Sequence, residues 1–329
     1  MLLHGLTMNI GIFDVDSTIP NLALMKISQW HKKQGHHVDM YLPLLHETYD
    51  KVYASKIFKF SDGSALRDDM IIGGTGVDMS ISLPSEIENE TPDYSIYGYP
   101  HSIGFSQRGC RFKCGFCVVP KKEGSPYFNS SIEDIWTQRD SNFLVLLDND
   151  FFGNPEWEQC IHDINRHQLK VCFSQGLNIR IISKKQAEAL ASVKFKNIKN
   201  TKSQVTFAWD QIEDEKVIMR GIKRVLDAGI KPWQMQFFVL IGYDSTEEED
   251  MHRVMMLRQI GCDPFVMPFD KSDPYQRHFA RWVNRRQIFK SCSWEEYRTR
   301  KGYTHGCTEN STSEPTSRIP ESTLHPVEI

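Results

Sequence analysis

Three cysteines lie within eight positions of one another, in the stretch SQRGCRFKCGFCVVPKKEG that covers residues 106–124. Cys110, Cys114 and Cys117 have the spacing C-x3-C-x2-C, and neighbouring glycines permit the tight backbone turns that would bring three thiolates together. Three thiolates around a four-iron cluster leave one iron without a protein ligand. Catalytic metal sites keep an open position of this kind for a substrate or cofactor. The spacing therefore predicts a [4Fe-4S] cluster with one open coordination site.

A structural zinc site is the main alternative for the three cysteines. It would need a remote fourth ligand, for which His101 and Cys172 are the candidates. Structural zinc usually takes its ligands from two C-x2-C-like pairs, and the sequence has no second pair. Chance clustering of buried cysteines is disfavoured, because the surrounding glycines and basic residues make a poor core segment.

The composition is that of an ordinary soluble protein. The 329 residues are 40% hydrophobic and 25% charged, and the net charge of -3 predicts no overall attraction to nucleic acid or anionic membranes. No apolar run is long enough to span a membrane. Five of the eight cysteines are scattered, unlike a secreted disulfide framework. We therefore expect a cytoplasmic protein with no membrane partner.

Short apolar runs and one helical pattern alternate over residues 8–83. This alternation predicts a small α/β domain with a parallel sheet, Rossmann-like or flavodoxin-like, over residues 1–90. The stretch LPSEIENETPDYS, residues 83–95, is polar and contains proline, so we predict a linker there.

A second, more regular alternation of strands and helices begins near residue 101. Six strand-like runs are separated by five helical patterns; the runs are 103–107, 142–148, 170–174, 204–209, 235–242 and 264–269. Expected helix starts are Asn154, Ser183 and Ser245, the last with Glu248 as a capping box. Repeated βα units build a parallel sheet whose working face lies at the carboxyl ends of the strands. The cysteine loop follows the first strand, so we expect it on that face.

The end of the chain is predicted to be a helical extension, residues 271–307, and a disordered tail, residues 308–329. Residues 277–303 within the extension are rich in arginine, lysine and aromatic residues, a composition that could bind single-stranded nucleic acid or another anionic substrate. Its apolar residues also fall at helical spacing, which favours one face packed on the core with the arginines in solvent.

The cysteine loop, with Phe116 immediately before its last cysteine and six βα units around it, resembles the radical S-adenosylmethionine (SAM) superfamily. The resemblance covers about residues 101–270. It implies an α/β fold with a partial (β/α)6 barrel over residues 98–270, and an electron donor such as flavodoxin or ferredoxin. In that family the open iron binds SAM, and an electron from the cluster cleaves the sulfonium. The resulting 5'-deoxyadenosyl radical abstracts a hydrogen from the substrate. The cofactor therefore supplies the reactive chemistry, and the protein binds and orients the reactants.

The resemblance also implies SAM-binding residues after the second strand. The family often has a glycine-glycine-glutamate stretch there, which holds the SAM amino group. This chain instead has Asp148, Asn149 and Asp150, whose side-chain oxygens could accept from an ammonium group. Local turn chemistry is the alternative role for the three residues.

Further SAM contacts are implied after the third and fifth strands. Gln175, Asn178 and Arg180 stand where the family contacts ribose and the SAM carboxylate, and a guanidinium can bind a carboxylate through two bonds. A surface salt bridge is the other role open to Arg180. Ile241 and Gly242 correspond to the stretch near adenine, or else form a plain buried strand end.

A Rossmann-like unit before such a core resembles the cobalamin-binding arrangement, in which a histidine in a D-x-H-x-x-G pattern ligates cobalt. Here the loop reads from Asp14 through Asp16 to Asn21, without a histidine or the glycine. The absence of the imidazole donor argues against cobalamin as a cofactor. We therefore expect a degenerate domain that packs on the core or presents substrate.

Two functions from different classes remain open. The first is a radical SAM enzyme whose substrate is RNA, a peptide or a small metabolite, between which the sequence does not choose. The second is a non-catalytic iron-sulfur or zinc protein that serves electron transfer or holds a binding surface.

Overall fold

The computed structural model describes residues 6–300, apart from the side chain of residue 300. The chain divides between Asn149 and Asp150 into two compact units. Each unit is mixed α/β and contains parallel strands, in agreement with the predicted class. Within the described residues, no helix is both long and apolar enough to cross a membrane. The predicted tail and residues 301–307 of the predicted extension lie outside the described residues.

The first unit begins with a parallel four-stranded sheet in the order β2-β1-β3-β4. Its strands are β1 (Asn9–Asp14), β2 (His37–Met40), β3 (Lys51–Ser55) and β4 (Ile71–Gly73). One long helix, α1 (Leu22–Lys33), covers the sheet, and the side chain of Asn21 caps it by accepting from the amide of Leu24. The buried core between them consists of Ile10, Ile12, Leu24, Ile27, Val38 and Ile87.

The stretch predicted as a linker is packed against this sheet instead. It contains α2 (Ser85–Glu88), whose Ile87 is buried in the core. Asp93 is also buried, and it accepts from the Ser28 hydroxyl (2.6 Å) and pairs with the Lys32 ammonium (2.7 Å). The polar composition of residues 83–95 thus reflects specific bonds to α1 rather than flexibility.

The rest of the first unit carries the cysteine loop. Its elements are β5 (Ser102–Gly104), β6 (Gln107–Arg108), α3 (Val119–Lys122), β7 (Tyr127–Phe128), α4 (Ile132–Ile135) and β8 (Phe143–Leu146). Strands β5 and β8 are parallel neighbours, whereas β6 and β7 form an antiparallel pair. The three cysteines therefore lie in the loop of a hairpin. The sequence did not predict β6 and β7, because two residues are too few for an alternating pattern.

The second unit contains five parallel strands and most of the helices. The strands are β9 (Lys170–Phe173), β10 (Lys194–Phe195), β11 (Val205–Ala208), β12 (Met235–Ile241) and β13 (Asp263–Pro268). The helices are α5 (Trp157–Arg166), α6 (Lys184–Ser192), α7 (Glu215–Asp227), α8 (Glu247–Ile260), α9 (Pro274–Asn284), α10 (Arg286–Ser291) and α11 (Trp294–Arg300). Strand β9 pairs with β10, and β12 lies between β11 and β13. Each of the six predicted strands is present, while closure into a barrel stays a prediction.

The predicted helix starts are partly confirmed. Ser183 caps α6 in a box with Gln186, as expected for that position. The box predicted at Ser245 is displaced by one residue, because Thr246 caps α8 and the Ser245 hydroxyl donates to Asp250 (2.7 Å). The start predicted at Asn154 is wrong, since α5 begins at Trp157 after a short 3-10 turn.

The last three helices pack through an aromatic core. Phe279, Trp282, Val283 and Phe289 are all buried, which confirms the apolar face predicted for the extension. The Trp282 ring meets the Phe289 ring edge-on at 4.9 Å between centroids.

His31 is a buried titratable group under the first sheet. Its side chain is 1% exposed, and its Nε2 lies 3.0 Å from the Tyr53 hydroxyl. Its Nδ1 has no hydrogen-bond partner among the described residues. Burial lowers the pKa of His31 to about 4, and the charges of His36 and Lys51 act in the same direction.

We expect the free energy of unfolding to fall as the pH drops from about 6.5 to about 4. In that range the unfolded chain binds a proton on His31 that the folded chain does not, at a cost of up to about 3 kcal/mol. Urea unfolding of the wild type and of His31→Gln near neutral and near acidic pH measures this, with exposed His37→Gln as the control. An unchanged pH dependence in His31→Gln would contradict the prediction.

Candidate functional site

The backbone of the cysteine loop is fixed at both ends. Gly109 has a φ of 78°, and a Cβ at this position would collide with the carbonyl oxygen of Ser125. The amide of Cys110 donates to the carbonyl of Gly124 (3.0 Å), which closes the base of the loop. Within the loop, the amide of Cys117 donates to the carbonyl of Cys114 (3.0 Å). The three cysteines are half-buried on this loop.

The carboxylate of Glu123 holds the loop together. One oxygen accepts from Nε (3.2 Å) and Nη2 (2.8 Å) of Arg108, and the other from the amide of Gly109 (3.0 Å) and Nδ2 of Asn149 (2.7 Å). Its side chain is only 11% exposed, so these charge-assisted bonds are shielded from water. We name this arrangement of Glu123, Arg108, Gly109 and Asn149 the Glu123 clasp. It joins the two residues before the first cysteine, Glu123 six positions after the last cysteine, and the chain beyond β8.

The clasp is connected to the first sheet through Glu88 of α2. Arg108 donates from Nη1 to Glu88 (3.3 Å), and Lys26 of α1 donates to the same oxygen of Glu88 (2.9 Å). The guanidinium also lies over the Phe105 ring, 4.6 Å from its centroid. The first sheet therefore supports the base of the cysteine loop.

Asp148, at the end of β8, holds the residues that lead into the cysteine loop. Its carboxylate accepts from the amide of Ser106 (2.8 Å), from the Ser106 hydroxyl and from the amide of Gln107. The side chain is 4% exposed, and burial raises its pKa to about 7 despite these bonds. The resemblance assigned Asp148 to the SAM amino group, whereas its observed partners are backbone and hydroxyl groups of the loop.

The donor chemistry of the loop suits an iron-sulfur cluster, since three thiols on one fixed hairpin are the soft ligands that such clusters take. All seven described cysteines are thiols rather than disulfides. Among residues 6–300, no group of three or more His, Cys, Asp or Glu side chains is placed so that it could hold a metal ion as it stands. The fit therefore rests on the types of donor and on the fixed loop, not on an assembled ligand geometry.

His101 and Cys172, the two remote ligands considered for a zinc site, lie in surroundings that disfavour metal binding. The Nδ1 of His101 lies 2.7 Å from the Ser141 hydroxyl, and its ring packs edge-on against Phe143. Cys172 and Cys262 are buried, and burial raises the pKa of each thiol to about 12. Burial thus disfavours the thiolate form, which is the form that binds a metal.

The remaining predicted residues are divided between the units. Phe116, half-buried, and Asn149 belong to the first unit with the cysteines. The second unit contains Asp150, Gln175, Asn178, Arg180, Ile241 and Gly242. Asp150 is buried at the start of a 3-10 turn, and its carbonyl accepts from the amide of Gly153 (2.7 Å). Gln175 follows β9 and is exposed.

Arg180 forms an ion pair within the second unit. Its Nη1 lies 2.8 Å from the carboxylate of Asp214, and its Nε donates to the side chain of Asn178 (3.3 Å). The pair with Asp214 is a salt bridge, the other role left open to Arg180, although the Arg180 side chain is only 20% exposed. Asn178 serves as a positioning group for it in this arrangement.

Ile241 and Gly242 form the end of β12. Ile241 is fully buried, and Gly242 has a φ of 74° with the carboxamide of Gln276 packed against it. Any side chain at this position would displace Gln276. The close approach explains the glycine without reference to a ligand.

A cavity of about 740 Å³ lies beside the base of the loop within the first unit. Trp30, Ile72 and Leu83 contribute apolar walls, and Arg108 and Glu123 border it on the side of the loop. Gly74 lines it too, but its backbone packs against the carbonyl of Lys56, which explains the glycine. Four of the six charged residues that line the cavity, Lys26, Glu88, Arg108 and Glu123, are paired with one another.

The clasp was not foreseen from the sequence. Glu123, Arg108 and Ser106 look like ordinary polar residues of a loop, and only the hairpin brings Arg108 and Glu123 together. The one available signal was the position of Glu123 and Arg108 just outside the cysteines, on opposite flanks.

Comparison with known proteins adds no assignment: no protein-family model matches this chain, and no curated protein matches it.

We expect Glu123→Gln to loosen the loop, because an amide cannot accept from all four donors and carries no charge for Arg108. The lost bonds are worth about 1.5 to 3 kcal/mol, so amide exchange in residues 106–124 should rise about tenfold or more. Hydrogen–deuterium exchange measures this on protein without added iron. The control is Glu188→Gln, which breaks a 3.8 Å surface pair with Lys184. Equal exchange in both variants would show that the clasp does not hold the loop.

Proposed function

We propose that this protein is a radical SAM enzyme. The observation that carries the proposal is the hairpin loop with Cys110, Cys114 and Cys117, fixed at its base by Glu123 and supported by Asp148. A loop held so firmly suits a centre whose ligands must keep their geometry while one position stays open.

The surroundings of the residues that could supply a fourth cluster ligand favour a cluster with three protein ligands. His101 is already bonded to Ser141, and burial disfavours the thiolate form of Cys172 and Cys262. A centre with three thiolate ligands differs from an electron-transfer cluster, which normally has four. This argument favours the enzyme over the non-catalytic alternative.

The chain's own residues have distinct roles in this proposal. Cys110, Cys114 and Cys117 hold the cluster as thiolates, and Glu123 and Asp148 position the loop on which they stand. When bound, the cluster supplies the single electron that cleaves SAM, with an external reductant such as flavodoxin or ferredoxin as its source. Arg180, oriented by Asp214 and Asn178, binds the SAM carboxylate.

Product analysis tests the enzyme proposal. Anaerobically reconstituted and reduced protein, mixed with SAM, should release 5'-deoxyadenosine. Changing any one of the three loop cysteines to alanine should remove most of the iron and the product. Cys292→Ala, a half-buried cysteine elsewhere in the chain, should keep both.

Two results would contradict the proposal in different ways. Full iron in all three loop variants, with loss in Cys160→Ala or Cys172→Ala, would show that the ligands are wrong. A cluster that depends on the loop cysteines but gives no 5'-deoxyadenosine would favour the non-catalytic iron-sulfur protein.

Replacing Arg180 with alanine should weaken SAM binding by about 1.5 to 3 kcal/mol, the value of a charge-assisted bond to the carboxylate. The matched control is Asp214→Asn, which breaks the ion pair but leaves the cation in place. Calorimetric titration with SAM at equal iron content compares the two variants. Unchanged affinity in Arg180→Ala would reject this role.

A further inference from the structure

A basic surface lies at the amino ends of the strands of the second unit. Two cavities there, of about 440 and 600 Å³, are both lined by Ser203 and are therefore neighbours. Their cationic lining is what we name the amino-edge surface: Lys170, Lys194, Lys196, Lys202, Arg258, Arg286 and Lys290. The residues predicted to bind SAM follow the carboxyl ends of the strands, so this surface is separate from them.

The charge of the amino-edge surface is not a consequence of composition. The whole chain carries a net charge of -3, yet Asp263 is the only carboxylate residue that lines either cavity in the described structure. That carboxylate is already paired with Arg286 (2.8 Å). The surface is therefore strongly positive and suited to a polyanion.

The lysines of the amino-edge surface lie close to one another, so their positive charges repel. Lys170 and Lys194 are the first residues of β9 and β10 and are paired in register. Like charges directly opposite one another destabilise a sheet. Lys196, Lys202 and Lys290 form no ion pair with any residue that the structure describes, although other surface lysines such as Lys184 and Lys185 do. A bound anion would relieve this repulsion.

An exposed aromatic ring stands among these cations. Trp233 lines the larger cavity and is 63% exposed, an unusual position for an indole. Arg258, on the same cavity, lies over the ring of Phe289 at 4.9 Å. Cations that follow a groove beside an accessible aromatic ring are the features that bind phosphates and stack an unpaired base.

We propose that the amino-edge surface binds a single-stranded nucleic acid, with phosphates in the two cavities and one base on Trp233. A single strand is favoured over a duplex because the indole needs an unstacked base. Trp233 likewise favours a nucleic acid over an anionic membrane, since one ring beside concave, lysine-lined cavities presents no continuous apolar face to insert. The binding does not depend on the chemistry proposed for the cysteine loop and can be tested without iron.

Helix dipoles offer a simpler role for part of this charge. The carboxyl ends of α6, α7 and α8 reach this edge, where Ala191, Ala228 and Gly261 line the cavities. Cations near helix carboxyl ends stabilise the helices without any partner. Binding measurements separate the two roles, because dipole compensation predicts no affinity for nucleic acid.

Fluorescence anisotropy with a labelled single-stranded 20-nucleotide RNA and the equivalent DNA tests the proposal on the full chain. The test variant is Lys196→Gln/Lys202→Gln/Lys290→Gln. The control is Lys33→Gln/Lys184→Gln/Lys185→Gln, which removes the same charge from lysines that are paired with glutamates. We expect the test variant to bind about tenfold or more weakly at low salt, with the salt slope reduced by about two, and the control within about twofold of the wild type.

Trp233→Ala should weaken binding by about fivefold or more without changing the salt slope, because it removes stacking rather than charge. Equal affinity for RNA and DNA would indicate that the protein recognises the phosphate backbone. Higher affinity for one of them would identify the type of nucleic acid that it binds. Both outcomes support the proposal. No binding by the wild type, equal losses in the test and control variants, or tighter binding to phosphatidylserine vesicles than to either strand would overturn it.

Discussion

One carboxylate, largely shielded from water, organises the cysteine loop. Glu123 accepts from four donors that belong to Arg108, Gly109 and Asn149, so it connects both flanks of the loop with the chain beyond β8. A carboxylate in such a position is stable only while its donors surround it, because an unpaired buried charge is costly. The same bonds that satisfy Glu123 therefore fix the backbone that carries three thiols, and any metal chemistry of the loop depends on them.

The need to hold the Glu123 clasp in place gives the first sheet a structural role, which it can fill without binding a ligand. Through Glu88, which bonds both Lys26 of α1 and Arg108, the sheet is connected to the clasp. The predicted linker is part of this connection, since α2 supplies Glu88 and its Ile87 packs into the core of the sheet. We therefore interpret the sheet as a support for the cysteine loop.

The sequence predicted the strands with long apolar runs well. A strand in a parallel sheet is buried on both faces, so several consecutive residues are apolar. It missed β6, β7 and β10, which have two residues each and leave no pattern. The cysteines could be found because their spacing is local. The clasp could not, since Arg108 and Glu123 are 15 positions apart and meet only through the hairpin. Asp148 was recognised as important, but its bonds to Ser106 and Gln107 depend on tertiary structure.

The central claim is that three thiolates hold a cluster with one open iron. Electron-nuclear double resonance on the reduced protein, with SAM labelled by 17O in the carboxylate, tests it most directly. The account predicts a coupling between the cluster and the labelled oxygen, because the open iron takes SAM as its ligand. A cluster signal without that coupling, and unchanged by SAM, would show that a fourth protein ligand closes the site and would contradict the account.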